Sequence, residues 1–331
     1  MTTRTELADG HGRRIRHMRL SVISTCDLRC SYCRPADLPQ TSNTQASRTT
    51  ELSDQQRLML VAALVAQYGL EQVRITGGEP LLYRNVVSLV EGIRGIAPHL
   101  DLAMTTHGKL LDRKAAALRQ AGLSRINISI DSLRADVYNQ LTGGNLEDTL
   151  RGIDAASDAG FFPVKLNTVV LKGINDNELA NIVTWAIERD HEVRFLEAMP
   201  IGPAAAFNQD HFVPVADMRR RLERDFSMEP IAAPVGSTAR RFRVQANGKN
   251  GTIGFVSPVS EPFCGSCGRI RVTADGTLYP CLLDSRSANL QKCLDGEAWN
   301  LMTLDKTLRS AMGQKAAAGT IQSTSMVTIG G

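Results

Sequence analysis

Strand-like runs alternate with helical patterns through the first 200 residues, and this alternation limits the fold more than any other feature. The six strand-like runs cover residues 18–24, 71–77, 100–106, 124–130, 162–170 and 192–199. Strands separated by helices predict parallel strands with right-handed crossovers. Six units are fewer than the eight of a closed barrel, so we expect an α/β fold with a partial (β/α)6 TIM-like barrel. In that architecture the chemistry lies where strands end and loops begin.

The first helical pattern is well defined. Residues 54–69 have helical spacing, and either Ser53 or Asp54 is suited to cap the first turn. The predicted apolar face consists of Leu58, Val61, Ala62, Val65 and Tyr68. The preceding segment, 34–53, is rich in Ser and Thr and poor in apolar residues, which predicts a long loop.

The pattern changes after about residue 200. A helix is predicted at 214–226, with Val215, Met218, Leu222 and Phe226 on one face, and another within 297–317. Strand-like runs lie at 240–246, 251–257 and 270–281, the last with an Asp-Gly turn at 275–276. We therefore expect a flexible segment over 1–16, the barrel over 17–205, a smaller α+β domain over 206–318, and a tail over 319–331.

Composition excludes several classes of function. The net charge of the 331 residues is +4, too small to indicate general nucleic-acid binding. The apolar run at 58–66 is far shorter than a membrane span, and the first residues lack the apolar stretch of a signal peptide. These features predict a cytoplasmic protein. In that compartment seven clustered cysteines favour metal binding over disulfides.

The first cysteine triad is Cys26, Cys30 and Cys33, directly after the first strand-like run. Three thiolates in one loop can bind three irons of a [4Fe–4S] cluster and leave the fourth iron open. An open position is what a catalytic metal site needs. The alternative is a zinc site, which would require a fourth ligand and more often uses two C-x2-C pairs.

The second triad is Cys264, Cys267 and Cys281, with Cys293 as a candidate fourth ligand. A zinc ribbon is a stronger alternative here, because C-x2-C is common in zinc sites. We interpret Cys293 as a bystander in a solvent-facing loop, so that this triad also leaves an open iron. Arg269 and Arg271 alternate on a strand and share a face, which favours an anion site; a charged edge strand is the alternative.

The run CDLRCSYC resembles the cluster motif of the radical S-adenosylmethionine (SAM) superfamily. The run ITGGEP at 75–80, after the second strand, resembles the element that binds the SAM amino group in that superfamily. Gly77 and Gly78 would let the backbone approach a ligand, and Glu79 would compensate positive charge. Together with the second triad, the run CGRIR and the final Gly330-Gly331, the chain from about Met18 to Gly331 resembles the GTP 3′,8-cyclase family of molybdenum cofactor biosynthesis.

The resemblance implies two [4Fe–4S] clusters, SAM as cofactor and GTP as substrate. It implies that SAM is bound by Gly78, Thr105, Ser129, Met199 and the backbone near Tyr32. It implies that GTP is bound by Arg19, Arg74, Lys165, Arg194, Arg269 and Arg271. The catalytic set it implies comprises Cys26, Cys30 and Cys33, with Arg269, Arg271, Gly330 and Gly331, the two glycines reaching the active site from the tail.

Three residues depart from the family pattern. Gln72 stands where a lysine is usual, Arg34 where methionine is common, and His107 where asparagine is usual. Gln72 removes one expected phosphate contact.

The resemblance also implies partners: a reductant of flavodoxin or ferredoxin type, a downstream cyclic pyranopterin monophosphate synthase, and a second copy in a homodimer. The nearest alternative function is a radical SAM peptide-modifying maturase with an auxiliary cluster. An alternative of another class is a noncatalytic zinc- or iron-binding scaffold, which would not need the GGEP run.

Overall fold

The computed structural model describes residues 5–34, 51–233 and 236–319. Its α-helices are α1 (Asp54–Tyr68), α2 (Val86–Ile96), α3 (Leu111–Gln120), α4 (Ala135–Thr142), α5 (Leu146–Asp158), α6 (Leu179–Glu188), α7 (Ala205–Asp210), α8 (Val215–Leu222) and α9 (Leu301–Gly313). Its strands are β1 (His17–Ser21), β2 (Gln72–Thr76), β3 (Asp101–Thr106), β4 (Arg125–Ser129), β5 (Lys165–Val170), β6 (Glu192–Glu197), β7 (Met228–Ile231), β8 (Arg240–Ala246), β9 (Lys249–Val256), β10 (Arg269–Val272), β11 (Thr277–Tyr279), β12 (Ala288–Asn289), β13 (Leu294–Asp295) and β14 (Ala298–Trp299).

The six predicted barrel strands are confirmed, and each is parallel to the next from β1 to β6. The sheet has the order β12-β11-β10-β1-β2-β3-β4-β5-β6-β9-β8-β7 and therefore has two free ends. Residues from β1 to β6 and from β10 line one cavity, so the sheet curves around it as a partial barrel. The sequence did not predict that β10 and β9 continue this sheet in parallel beyond β1 and β6.

Helix α1 begins as predicted, but its buried face differs. Ser53 is the N-cap: its side chain accepts a hydrogen bond from the Gln56 amide, and the Gln56 side chain completes a capping box. Of the predicted face, Val61 and Tyr68 are buried, whereas Leu58, Ala62 and Val65 are only half-buried. The buried stripe consists of Gln56, Arg57, Leu60, Val61, Leu64 and Tyr68. The apolar residues of this stripe belong to the main hydrophobic core, and Leu58, outside the stripe, abuts Gly92 of α2.

The later elements follow the predicted pattern. Helix α8 ends at Leu222, earlier than predicted, with Val215, Met218 and Leu222 buried. Strands β10 and β11 form the predicted antiparallel hairpin, and Gly276 in its turn has φ of +79°, a conformation that favours glycine. No helix in the described part of the chain is long and apolar enough to cross a membrane.

Residues 5–16 are packed, although the sequence predicted a flexible segment there. Leu7 and Ile15 are buried in the hydrophobic core. The amides of Arg16 and His17 both donate to the carbonyl of Gly268, which ties this segment to the start of β10. Most of the loop predicted at 34–53 lies outside the described residues, namely 35–50. Its last residues are described, and Leu52 is buried.

Candidate active site

Alternate residues of the curved sheet point into one cavity of about 370 Å³. Arg19 of β1 is in register with Arg74 of β2 and with Arg271 of β10, so these arginines form a row across neighbouring strands. The predicted site residues that line the cavity are Arg19, Cys26, Cys30, Tyr32, Cys33, Arg74, Gly78, Thr105, Ser129, Arg194, Met199, Cys264, Cys267, Arg269, Arg271 and Cys281. Both cysteine triads and the basic row therefore share one internal space.

Of the predicted site residues that the structure describes, only Lys165 is not among those that line the cavity. Lys165 of β5 is in register with Asn127 and Glu192, and burial together with the charge of Arg194 lowers its pKa to about 8. It therefore lies near the cavity cations without lining the cavity. Gly330 and Gly331 lie outside the described residues, which end at Gly319. The amide of Gly319 is 3.5 Å from the Sγ of Cys264, so the tail leaves the described structure beside the second triad.

The first triad lies in the loop after β1. The amide of Cys33 donates to the carbonyl of Cys30 at 2.9 Å, and the neighbouring Arg29 amide donates to the Thr142 carbonyl at 2.8 Å. Burial raises the pKa of the Cys30 thiol well above its usual range and that of Cys33 to about 11. Metal binding at these thiols must therefore release protons.

The second triad has a more positive environment. The Lys315 ammonium donates to the carbonyls of Cys267 and Arg269, at 2.9 and 2.7 Å, and Arg269 Nη1 is 3.8 Å from the Cys267 Sγ. Burial alone would raise the pKa of the Cys267 thiol, but the charges of Lys315 and Arg269 outweigh burial and lower it. A thiolate at Cys267 is thus more stable than one at Cys30 or Cys33, whereas burial raises the pKa of Cys281 in the second triad as well.

Neither triad is arranged around a single metal ion. Zinc, with bonds of about 2.3 Å to sulfur, holds its ligand atoms within about 4 Å of one another. Among the described residues, one group of three Cys, His or carboxylate ligand atoms lies within 4.8 Å of one another. It consists of Cys26, Asp27 and His107 and is neither of the two triads. In neither triad do all three sulfur atoms lie within 4.8 Å of one another, and a cube in which each thiolate binds a different iron does not require this. Both triads therefore fit a [4Fe–4S] cluster better than zinc.

The GGEP run lies against the cysteine loop. The amides of Gly78 and Glu79 donate to the carbonyls of Ile23 and Thr25, at 2.7 and 2.8 Å. A Cβ at Gly78 would lie 2.2 Å from the Thr25 carbonyl oxygen, so only glycine permits this approach. From the sequence, we expected these glycines to let the backbone approach a ligand. In the structure, they allow the loop after β2 to contact the loop after β1.

Glu79 is held inside the protein by its neighbours. Its carboxylate accepts hydrogen bonds from the amides of Leu81 and His107 and from the Thr106 hydroxyl. The His107 Nε2 is 3.2 Å from Glu79 and 2.8 Å from Asp27. Burial disfavours a charged His107, but these two carboxylates outweigh it and raise its pKa to about 10. The departure from asparagine at residue 107 therefore adds a buried cation between two carboxylates.

Tyr32 and Met199 are joined by residues that sequence reasoning missed. The amide side chain of Asn208 donates to the backbone carbonyls of Tyr32 and Met199, at 2.9 and 2.7 Å. The Tyr32 hydroxyl donates to Asp131 at 2.7 Å, and burial raises the pKa of Asp131 to about 6. Asp131 follows Ser129, which was predicted to bind SAM, by two residues, and this was the only signal available for it in the sequence.

The other departures and the extra cysteine also have clear positions. Gln72 donates to Asp101 at 2.9 Å, and Arg34 lines the cavity.

Cys293 was predicted to lie in a solvent-facing loop, and this is wrong: it is buried in the hydrophobic core, and its thiol contacts the Thr307 hydroxyl. An apolar thiol in a short helical turn packs as a small hydrophobic residue, and Cys293 is not among the residues that line the cavity.

Comparison with known protein families matches nearly the whole chain. Residues 20–186 match the family described as the Radical SAM superfamily, and residues 191–321 match the one described as Molybdenum Cofactor Synthesis C. A GTP 3′,8-cyclase of Petrotoga mobilis is 40% identical over 288 residues, which cover 86% of each chain. A GTP 3′,8-cyclase of Geobacter sulfurreducens is 38% identical and is covered over its full length, with 98% of this chain.

Solved structures show the same fold. Streptococcus suis SuiB bound to precursor peptide SuiA has a TM-score of 0.62 and 13% identity, covering 95% of this chain and 68% of SuiB. SuiB bound to S-adenosylmethionine has a TM-score of 0.59 and 15% identity over 84% of this chain. In that second comparison this chain covers 64% of the SuiB chain. At such low identity the likeness concerns the fold alone.

Proposed function

Because the chain belongs to the GTP 3′,8-cyclase family of radical SAM enzymes, we propose that it converts GTP to 3′,8-cyclo-7,8-dihydro-GTP, the first step of molybdenum cofactor biosynthesis. The observation that carries this proposal is the shared cavity. Two cysteine triads line it, and the basic residues Arg19, Arg74, Arg194, Arg269 and Arg271 line it as well. A scaffold protein would need neither two open clusters nor an internal anion site.

The two triads would each hold a [4Fe–4S] cluster. When bound, the first cluster and SAM supply a 5′-deoxyadenosyl radical that can remove the 3′ hydrogen of the GTP ribose. Tyr32, Gly78, Thr105, Ser129 and Met199 line the cavity, and we propose that they bind SAM there.

The chain's own residues bind and orient the substrate. Guanidinium groups keep their charge and form paired hydrogen bonds to phosphate. Burial and the charge of Arg269 lower the pKa of Arg19 to about 10, so Arg19 remains charged at neutral pH. Arg74 Nη1 donates to the Thr105 hydroxyl at 3.2 Å, which joins the basic row to the predicted SAM site. An internal cavity also keeps bulk water away from a radical.

Deuterium transfer tests this function directly. Reconstituted protein is incubated anaerobically with SAM, a strong reductant and GTP deuterated at C3′, and the 5′-deoxyadenosine is analysed by mass spectrometry. We expect deuterium in that product. Unlabelled 5′-deoxyadenosine with GTP unconsumed would reject GTP as substrate and favour the peptide-modifying alternative.

Cysteine variants provide matched controls for this assay. Cys30→Ser is expected to abolish 5′-deoxyadenosine formation, and Cys293→Ser to leave it unchanged, because Cys293 is buried away from the cavity. The wild-type protein is expected to hold about eight iron atoms per chain and the Cys30 variant about four. Stoichiometric zinc in place of iron and sulfide would reject the assignment of both triads.

The partners follow from the same proposal. An electron must reach the first cluster, so a reductant of flavodoxin or ferredoxin type is expected to replace the chemical reductant in the assay. A cyclic pyranopterin monophosphate synthase is expected to consume the product when added. A homodimer would be detected by light scattering at a mass twice that of the 36.0 kDa chain.

A further inference from the structure

The row of arginines across the sheet extends beyond the residues so far assigned. Arg271, Arg19 and Arg74 are successive cross-strand partners in β10, β1 and β2. Arg74 is paired with Ala103 of β3, and Ala103 with Arg125 of β4. Arg125 therefore lies in the same row as Arg74, two strands further across the sheet, with the small residue Ala103 between them.

Arg125 lies on the cavity side of its strand. Residues of a strand alternate between its faces, so Arg125 shares a face with Asn127 and Ser129, which line the cavity. Burial lowers the pKa of Arg74 well below its usual range, and the charges of Arg19, Arg125 and Arg194 lower it further. Arg125 therefore contributes to the same positive field as the cavity arginines.

Asp101 holds the Arg125 guanidinium in a fixed orientation. Arg125 Nε donates to Asp101 Oδ1 at 2.8 Å, and Arg125 Nη2 donates to Oδ2. Gln72 also donates to Asp101 Oδ2, at 2.9 Å. Within the described part of the chain, Arg125 Nη1 donates to no other group, so it remains available to an anion. About one third of the Arg125 side chain is exposed (31%), although Arg125, like Lys165, is not among the residues that line the cavity.

The position of Arg125 along the strand points to the kind of ligand. The first cysteine loop and the GGEP run follow the carboxyl ends of β1 and β2, whereas Arg125 is the first residue of β4. Arg125 and Ser129 are four residues apart, which in a strand is roughly 13 Å. A nucleotide with its ribose beside the first triad would direct its phosphates away from it, toward the amino ends of the strands.

We propose that Arg125 is a phosphate-binding residue of this enzyme and contacts the terminal phosphate of a nucleoside triphosphate. The phosphate chain would follow the row from Arg19 and Arg74 to Arg125, with Asp101 orienting the guanidinium. This assignment rests on the proposed function. The alternative is an ion pair that only stabilises the amino end of the barrel.

Nucleotide binding separates these two roles. Dissociation constants for GTP, GDP and GMP are measured by equilibrium dialysis under anaerobic conditions, with the full-length reconstituted protein and no SAM. Arg125→Ala is expected to weaken GTP binding about tenfold or more, and GMP binding less than about twofold. Arg113→Ala removes the same charge from an exposed position on α3 and is expected to change neither constant.

A second substitution keeps the test informative if Arg125→Ala destabilises the barrel. Arg125→Lys retains the charge and the partner Asp101, and is expected to weaken GTP binding less than the alanine variant does. Adding Gln72→Lys to Arg125→Ala places a cation on β2, on the other side of β3 and also beside Asp101, and is expected to recover part of the lost GTP affinity.

The possible outcomes distinguish the two proposals. If Arg125→Ala unfolds more easily in urea but keeps the wild-type ratio of GTP to GMP affinity, Arg125 is a structural residue and this inference is wrong. Equal weakening for all three nucleotides overturns it too. Failure of the wild-type protein to bind GTP would instead contradict the proposed function.

Discussion

Lys165 differs from the arginines at the scale of single residues, because its charge can be lost near physiological pH. Burial, assisted by the charge of Arg194, lowers its pKa to about 8. A bound phosphate favours the charged ammonium, so if Lys165 binds GTP as the family resemblance implies, GTP binding above pH 8 would be accompanied by proton uptake at Lys165. The arginines have no such transition in this range.

The GTP affinity is therefore expected to fall as the pH rises from about 7 toward 9. Lys165→Arg keeps its charge and should make the affinity independent of pH over this range. Lys165→Gln should bind GTP about tenfold more weakly than the wild type does at pH 7, and its affinity should stay at that level at every pH. Dialysis with the three proteins checks this, and an identical pH profile in the wild type and the arginine variant would show that Lys165 does not contribute.

Sequence reasoning predicted the cavity residues that belong to recognisable runs and missed those that act through distant partners. Cys26, Gly78 and Arg269 lie in motifs of fixed spacing. Asn208 acts only because the fold brings the carbonyls of Tyr32 and Met199 to its side chain. Nothing near residue 208 in the sequence marks it, because hydrogen bonds across about 176 residues have no local pattern.

At the scale of elements, the site depends on two loops that interlock. The loop after β2 donates two amides to the loop after β1, and the absence of a side chain at Gly78 makes this possible. The first triad and the GGEP run are thus one structural unit.

Gly78→Ala is expected to lower the free energy of unfolding by about 2 kcal/mol, because its Cβ would overlap the Thr25 carbonyl. Gly95→Ala is the matched control, since its Cβ would meet no atom within 4 Å and alanine favours the helix. Its stability should equal or exceed that of the wild type by up to about 1 kcal/mol. Urea unfolding of the cluster-free proteins measures both, and equal stability of the two variants would contradict this packing argument.

The alternation of β-rich runs with helical patterns in the sequence explains which elements could be predicted. Each barrel strand is a compact β-rich run followed by a helical pattern, so β1 to β6 were found within a few residues. After residue 200, β8 to β11 were also found, but β7, β12 to β14 and the neighbours of these strands were not. The parallel pairing of β9 with β6 and of β10 with β1 joins distant segments, and a run such as GTIGFV does not specify its partner.

At the scale of the whole molecule, residues near both ends of the described chain meet at the second triad. Arg13 donates to the carbonyls of Cys264, Ala316 and Ala317, at distances between 2.6 and 2.8 Å, and is paired with Asp9 at 2.6 Å. Lys315 donates to the carbonyl of Cys267 from the other direction. These buried cations fix the cysteine loop and the beginning of the tail relative to each other.

Arg13→Ala is expected to leave Asp9 buried without its partner and to loosen residues 314–319. Hydrogen exchange at these amides should accelerate by at least about tenfold, while the amides of β2 and β3 remain protected. The iron content should fall from about eight toward about four atoms per chain. Arg14→Ala is the control because the Arg14–Glu6 pair is exposed. If both variants exchange like the wild type, Arg13 does not fix the tail.

The pairing of β1 with β10 also has a consequence for the order in which the site is made. His17 is in register with Arg269, about 250 residues further along the chain. During synthesis, β1 to β6 and the first cysteine loop are complete while one edge of β1 still awaits its partner. The half that would hold SAM thus exists before the half that carries the second triad. In a chain that folds as it is synthesised, this edge of the cavity would stay open until β10, in about the last fifth of the chain, can pair with β1.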